Sequence, residues 1–420
     1  MAEILELRCT VCRKSFRPDE VRYFCPECGQ VGTLDVLYDY ARLKTQVDRE
    51  ALNTRREMSM WRYAPLLPIS DDAHIPPLAV GWTPLYNSTQ LAETLGVRDA
   101  WVKDDGQNPT ASLKDRASAL VVAKALEQEI RIVATASTGN AAAALAGVGA
   151  SVQSDLQTII FVPVNAPEAK IAQLLVYGAT VLLVEASYDV AFDLCYAMSE
   201  SEDWYCRNTG INPFTTEGKK TVAYEIAEQM QWQVPDVVVV SVGDGSIIGG
   251  VHKGFWELRQ LGWIERIPRL IGVQATGSSP LVSAWEQGVA AVDMQPVEVN
   301  TIADSISAGL PRDRVKAMRA VRESQGDFIS VTDKEIVSAI PKLAGLTGVF
   351  AEPAAAASFA GAQRAVESGL IELEESVVLL ITGNGLKDVK QAQQSVAGGL
   401  RVKPNLESIR KTLRNHTNYG

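Results

Sequence analysis

Runs of consecutive apolar residues alternate along this chain with longer stretches whose apolar positions recur at helical spacing. Ala100–Lys103, Arg131–Ala136, Leu156–Val162, Thr180–Val184, Asp236–Val242, Arg269–Gln274 and Ser376–Thr382 read as strands. Helical patterns lie around Leu91–Leu95, over Ala117–Leu126, from Ala141 onward and over Glu168–Tyr177. Unbroken apolar strands separated by helices predict a parallel sheet covered on both faces. In such α/β sheets ligands bind at the carboxyl ends of the strands, so the loops that follow strands become the places to look for chemistry. Residues 41–75, charged and containing Met60-Trp61-Arg62-Tyr63, read as a helical connector, and Gly81-Trp82-Thr83-Pro84-Leu85 as a turn. The polar, basic tail from about Leu400 reads as a surface helix, and no internal repeat or low-complexity tract is present.

At 420 residues the chain can bury a large core and divide into two or three domains. Hydrophobic residues make up 46% and charged residues 21%, an ordinary globular composition. No apolar run is long enough to span a bilayer, and Met1–Arg8 lacks the basic-then-apolar pattern of a signal peptide, so a cytoplasmic location is expected. A net charge of −10 gives no general attraction to nucleic acid or to an anionic membrane. An anionic small molecule must therefore be met by a local cluster of donors. His74, His252 and His416 are the only histidines, which argues against His-based triads and favours a lysine for proton transfer.

Four of the six cysteines form two knuckles, Cys9-x2-Cys12 and Cys25-x2-Cys28, embedded in short β-like segments at Glu6–Arg8 and Val21–Phe24. Two thiolate pairs at this spacing suit tetrahedral zinc in a ribbon, with a metal-free ribbon as the alternative. Cys195 and Cys206 are isolated and read as structural.

The stretch Asn108-Pro109-Thr110-Ala111-Ser112-Leu113-Lys114-Asp115-Arg116 carries the sharpest chemical signal. Asn108-Pro109 reads as a turn and Ser112 as the N-cap of a helix, which places Lys114 in its first turn. The positive end of the helix dipole opposes protonation of an amine there. A lysine of depressed pKa is a nucleophile able to form a Schiff base with an aldehyde cofactor. The competing reading is a solvated lysine between Asp115 and Arg116.

Three post-strand loops are rich in glycine and small polar residues. Ser137-Thr138-Gly139-Asn140 opens the Ala-rich helix and offers hydroxyls and free N–H groups to a carboxylate. Gly243-Asp244-Gly245-Ser246-Ile247-Ile248-Gly249-Gly250 can form an anion nest, yet it matches neither the dinucleotide fingerprint nor a Walker A loop. Thr382-Gly383-Asn384-Gly385-Leu386-Lys387-Asp388 puts a hydroxyl at a strand tip.

Together with the Gly81–Leu85 turn, the Asn212–Thr221 segment (Asn-Pro, then Glu-Gly-Lys-Lys-Thr) and Glu352-Pro353, these motifs resemble the fold-type II pyridoxal-phosphate enzymes and, within them, the threonine synthases. The resemblance covers nearly the whole chain. It implies a tryptophan synthase β-like α/β fold of two doubly wound domains behind a zinc-ribbon-like segment. The implied divisions are the ribbon at 1–40, a large cofactor-binding domain at 41–117 and 223–400, a small mobile domain at 118–222, and a polar tail at 401–420. By the resemblance, Lys114 holds pyridoxal 5′-phosphate and shuttles protons, Asn140 bonds its 3′-oxygen, Gly243, Asp244, Gly245, Ser246 and Ile247 cradle its phosphate, and Thr382 meets its ring nitrogen. Ser137, Thr138, Asn208, Thr215 and Lys219 are the implied substrate-binding residues, Cys9, Cys12, Cys25 and Cys28 the metal ligands, and a homodimer the implied assembly.

The implied reaction is conversion of O-phosphohomoserine and water to threonine and phosphate. The sequence departs from many threonine synthases at Ala141, at Ile247, and at Thr215 where an arginine is frequent; Arg207, Lys219, Lys220, Lys170 and Arg312 are the candidate replacements for that charge. Cysteate synthase acting on phosphoserine and sulfite, or a serine or threonine dehydratase, would use the same scaffold. A non-catalytic scaffold binding protein or RNA is opposed by the Lys114 segment and the acidic charge.

Overall fold

The computed structural model describes residues 2–164, 166 and 168–416. Its amino-terminal ribbon pairs β1 (Ile4–Cys9) antiparallel with both β2 (Ser15–Phe16) and β3 (Leu34–Tyr38). The segment expected over Glu6–Arg8 lies inside β1. The one expected over Val21–Phe24 does not form a strand; Phe24 makes only an isolated bridge to Thr33. The chain must turn tightly here to present its second knuckle: Gly29 N donates to Cys25 O and Cys25 N to Gly32 O, each at 2.9 Å.

Two sheets form the body. The chain enters the larger through β4 (Leu85–Asn87) and β5 (Asp99–Asp104). It then builds the smaller from β6 (Ile132–Ala136), β7 (Gln157–Pro163), β8 (Thr180–Val184) and β9 (Tyr205–Cys206), and returns to the larger with β10 (Val237–Ser241), β11 (Arg269–Ala275), β12 (Asp327–Val331) and β13 (Ser376–Ile381). The strand orders are β12-β11-β10-β13-β5-β4 and β8-β7-β6-β9. Every pairing in these two sheets is parallel except β4 with β5.

The apolar strands explain the layering. In β10, Val238 and Val240 join one core with Leu120, Val251, Phe255 and Val321 of the helices Lys114–Glu127, Ser246–Gln260 and Arg314–Glu323. Val237 and Val239 point the other way, into a second core with Ile336 and Phe359 of helices Asp333–Thr347 and Pro353–Glu367. Successive side chains of a strand face opposite sides, so a strand with both faces covered must be apolar throughout.

Strands β4, β9 and β12 carry no comparable signal: two are only two or three residues long, and β12 sits at a sheet edge. The connector contains short helices at Tyr40–Gln46 and Arg49–Leu52 and a 3₁₀ turn over Met60–Leu66. The tail helix begins later than expected, at Leu406–His416. Among the described residues, no helix is long and apolar enough to cross a membrane.

Candidate active site

Lys114 is the first residue of the helix Lys114–Glu127, but the N-cap is Leu113, not Ser112. Ser112 instead bridges to Gly383, Leu113 N donates to Thr382 O at 2.9 Å, and Asn384 N donates to Ala111 O at 3.1 Å. The Lys114 segment is thus zipped along the loop after β13. Its neighbours are not solvated, as the bland reading required: Asp115 and Arg116 are completely buried. Asp115 accepts from Thr110 N at 2.6 Å, and burial lifts its carboxyl to about 6. The Arg116 guanidinium holds Asp105 at 2.7 Å and Glu225 at 2.8 Å, and Lys103 shares Glu225 at 2.7 Å. This buried network ties β5, the Lys114 helix and the helix Thr221–Gln229 together directly beneath the lysine.

Lys114 itself lines a cavity of about 680 Å³ between the two sheets. Burial, reinforced by the charge of Arg207, lowers its amine to about 8; Asp244 and Glu352 oppose that shift. Burial favours the neutral form of an amine; the sequence argument gave the same direction from the helix dipole.

The loop after β10 forms one wall, at the start of the helix Ser246–Gln260. Gly245 has φ +89°, and a Cβ there would meet Asp313 O at 2.9 Å; a Cβ on Gly243 would meet the Ile306 backbone at 2.8 Å. Only glycine permits this close curl, a backbone form in which successive N–H groups can make an anion nest. Behind it the buried Lys219 donates to Ser246 Oγ at 2.6 Å. Burial and the charges of Lys114 and Arg207 push the Lys219 ammonium well below its usual range. A buried amine whose partner is a hydroxyl, beside a glycine nest, suits a phosphate group, whose negative charge favours the amine's protonated form. Asp244 also lines the cavity, its Oδ1 accepting from Arg312 N at 3.2 Å.

Opposite, the loop after β6 presents Ser137, Thr138 and Asn140 to the same cavity, with Thr382 and Glu352 completing the wall. Asn140 Nδ2 donates to Glu352 Oε1 at 2.8 Å and to Ser305 Oγ at 3.3 Å. A Cβ on Gly383 would strike the Glu352 carboxylate, so that glycine makes room for it. Burial raises the Glu352 carboxyl above its ordinary value despite the bond from Asn140. The sequence reading used Glu352 only as a motif match; no local pattern indicates that it orients Asn140.

The remaining expected substrate residues lie behind the wall. Asn208 Oδ1 accepts from Ala136 N at 2.7 Å and from Thr135 Oγ1 at 3.1 Å, clamping the end of β6. Thr215 is fully buried and donates to Asn212 O at 2.8 Å. Neither Asn208, Thr215 nor Lys219 lines the cavity, whereas Arg207 and Arg312 do. Arg207 is completely buried, donates to Ser118 Oγ and Thr209 Oγ1 at 3.1 Å each, and is drawn down to about 10 by burial.

The four ribbon cysteines converge as their spacing predicts, their Sγ atoms all lying within 4.8 Å of one another. Cys12 and Cys25 are 3.7 Å apart, close to the ~3.8 Å edge of a tetrahedron with Zn–S bonds of ~2.3 Å.

A family model described as pyridoxal-phosphate dependent enzyme matches residues 77–383. Threonine synthase of Methanocaldococcus jannaschii is 39% identical over 97% of this chain and 99% of its own length. That of Methanosarcina acetivorans is 40% identical over 97% of this chain and 98% of its own. Among solved structures, threonine deaminase isoform 2 of Solanum lycopersicum covers 83% of this chain and 94% of its own, with a TM-score of 0.64 at 21% identity. Diaminopropionate ammonia lyase of Escherichia coli covers 94% of this chain and 97% of its own, at the same TM-score of 0.64 and 17% identity. These structural likenesses speak to the fold.

Proposed function

Because the chain belongs to the pyridoxal-phosphate-dependent enzymes and, among them, to the threonine synthases, we propose that the 680 Å³ cavity converts O-phospho-L-homoserine and water to L-threonine and phosphate. The observation that carries this reading is the convergence of Lys114, its amine lowered to about 8, with a glycine-built anion nest in one enclosed space. The residues present fit the cofactor: Lys114 for its aldehyde, residues 243–247 with Lys219 behind them for its phosphate, Asn140 for its 3′-oxygen and Thr382 for its ring nitrogen. When bound, pyridoxal phosphate supplies an aldehyde for covalent attachment and a ring that accepts electron density released at the substrate's α-carbon.

Lys114 then has two tasks. Its amine holds the cofactor between turnovers, and once freed it takes and returns protons at the substrate carbons. Its lowered pKa keeps it able to do both near neutrality. In the net reaction Cβ gives up one proton, the Cγ–O bond breaks as phosphate leaves, the oxygen of a water that releases a proton bonds to Cβ, and Cγ gains a proton to become the methyl group. Ser137 and Thr138 receive the substrate carboxylate at the start of helix Asn140–Ser151. Asn140 is held to its task by Glu352. Thr382 offers a hydroxyl, which does not force the ring nitrogen to stay protonated as a carboxylate would.

We read residues 118–222, which contain the whole smaller sheet, as the small domain that closes over the substrate and excludes water. The large domain is 41–117 with 223–400. The ribbon binds one structural zinc through Cys9, Cys12, Cys25 and Cys28, and the enzyme is a cytoplasmic homodimer.

The deciding experiment mixes the purified protein with O-phosphohomoserine, phosphoserine and threonine in turn, following absorbance and released phosphate. Threonine and phosphate from O-phosphohomoserine, both abolished in Lys114→Ala, are expected. A response confined to another amino acid would keep the fold and the lysine and overturn the substrate.

A further inference from the structure

Among the described residues, three cationic side chains line the main cavity: Lys114, Arg207 and Arg312. Lys114 is committed to the cofactor. Arg312 is already engaged at the rim, 3.5 Å from Asp189, with its guanidinium 4.4 Å over the Phe192 ring. Lys170 and Lys387, in the adjoining recess, contact Asp304 and Gln173. Lys220 and Lys253, deeper in the protein, are neutralised by Glu217 and Glu257.

Arg207 differs from all of these. It has no exposed surface and no carboxylate partner, and one guanidinium nitrogen makes no hydrogen bond. Ser118 and Thr209 hold the Nε and the other terminal nitrogen through neutral hydroxyls, which fixes the plane without satisfying the charge. A buried guanidinium left this way is costly unless a ligand supplies the anion.

Its position says where that anion lies. Arg207 follows β9, and its N–H extends the sheet by donating to Ala134 O at 2.7 Å. Since β9 runs parallel to β6, Arg207 emerges at the same end of the smaller sheet as the Ser137–Asn140 loop, and both line the cavity with Lys114 and the nest of residues 243–247. That nest and Lys219 already account for one phosphate.

We propose that Arg207 is the specificity-determining residue for the substrate's phosphate, gripping the leaving group through its free guanidinium nitrogen. Because the phosphate departs during turnover, the same grip binds inorganic phosphate as product. This inference rests on the threonine synthase reading.

The test uses wild-type holoenzyme and Arg207→Gln. In the wild type, threonine formation from O-phosphohomoserine verifies the underlying reading; its absence would fail that reading and not the role of Arg207 alone. Given that activity, Arg207→Gln is expected to raise KM for O-phosphohomoserine about 10- to 100-fold, the loss of a charge-assisted bond. Inhibition by inorganic phosphate should weaken in parallel, while the cofactor absorbance and its response to L-threonine, which lacks a phosphate, stay as in the wild type. Arg207→Lys, a buried cation of shorter reach, should fall between the two and is the variant to read if the glutamine form does not fold. Unchanged KM and phosphate inhibition in either folded variant would overturn the proposal. So would equal weakening toward threonine, which would make Arg207 a carboxylate anchor, or transfer of the phosphate effect to Arg312→Gln.

Discussion

Lys114 shows what one position owes to its neighbourhood. An amine at about 8 is roughly one-tenth neutral at pH 7, against about one part in three thousand at the ordinary value of 10.5. The neutral amine is the nucleophile, so recovery of the absorbance band by cofactor-depleted protein should accelerate with pH and level off just above 8. An acceleration that continues past pH 9.5 would show that the folded protein leaves this lysine unperturbed. The sequence located Lys114 from its turn, its helix and its motif. It said nothing of how Asp115 and Arg116 are compensated, because a charged pair in a sequence looks solvated until its buried partners are known. Those partners, Asp105 and Glu225, are respectively 11 and 109 residues away.

Elements were legible where burial on both faces imposed a continuous apolar run, as in β10 and β13, and least so in strands of two or three residues, as in β4 and β9. How the elements are clamped was not legible. Arg116 joins β5, its own helix and helix Thr221–Gln229 through buried carboxylates. Arg116→Met would leave Asp105 and Glu225 buried with less than their charge compensated. The expected cost is about 3–5 kcal/mol of unfolding free energy, measured by urea denaturation of holoenzyme; a loss below ~1 kcal/mol would mean the network relaxes around the gap.

At the scale of the whole molecule, the ribbon is joined to the active site by a short chain of bonds. Tyr38 of β3 donates to Glu217, which also accepts from Lys220 at 2.7 Å and from Lys253. Glu217 lies two residues before Lys219, the buried amine that donates to Ser246 of the glycine loop. With zinc in the proposed cysteine site, its removal by a strong chelator should therefore lower the thermal midpoint and also loosen the cofactor, read as absorbance lost on dialysis. Tyr38→Phe should reproduce the cofactor loosening with metal content unchanged. A chelated protein that keeps its cofactor as tightly as before would show the ribbon to be energetically separate from the site.

The chain's own order of residues determined the α/β class, the cysteine knuckles, the place of Lys114 at a helix start and the three loops that meet it, because each is encoded by local spacing: apolar runs, Cys-x2-Cys, turn and glycine chemistry. The tertiary structure alone decided which charges are compensated. Thr215, Asn208 and Lys219 turned inward and Arg207 was left facing the cavity without a counter-ion. Compensation of a buried charge depends on groups that only folding brings within a few ångströms, and no pattern along the chain carries that distance.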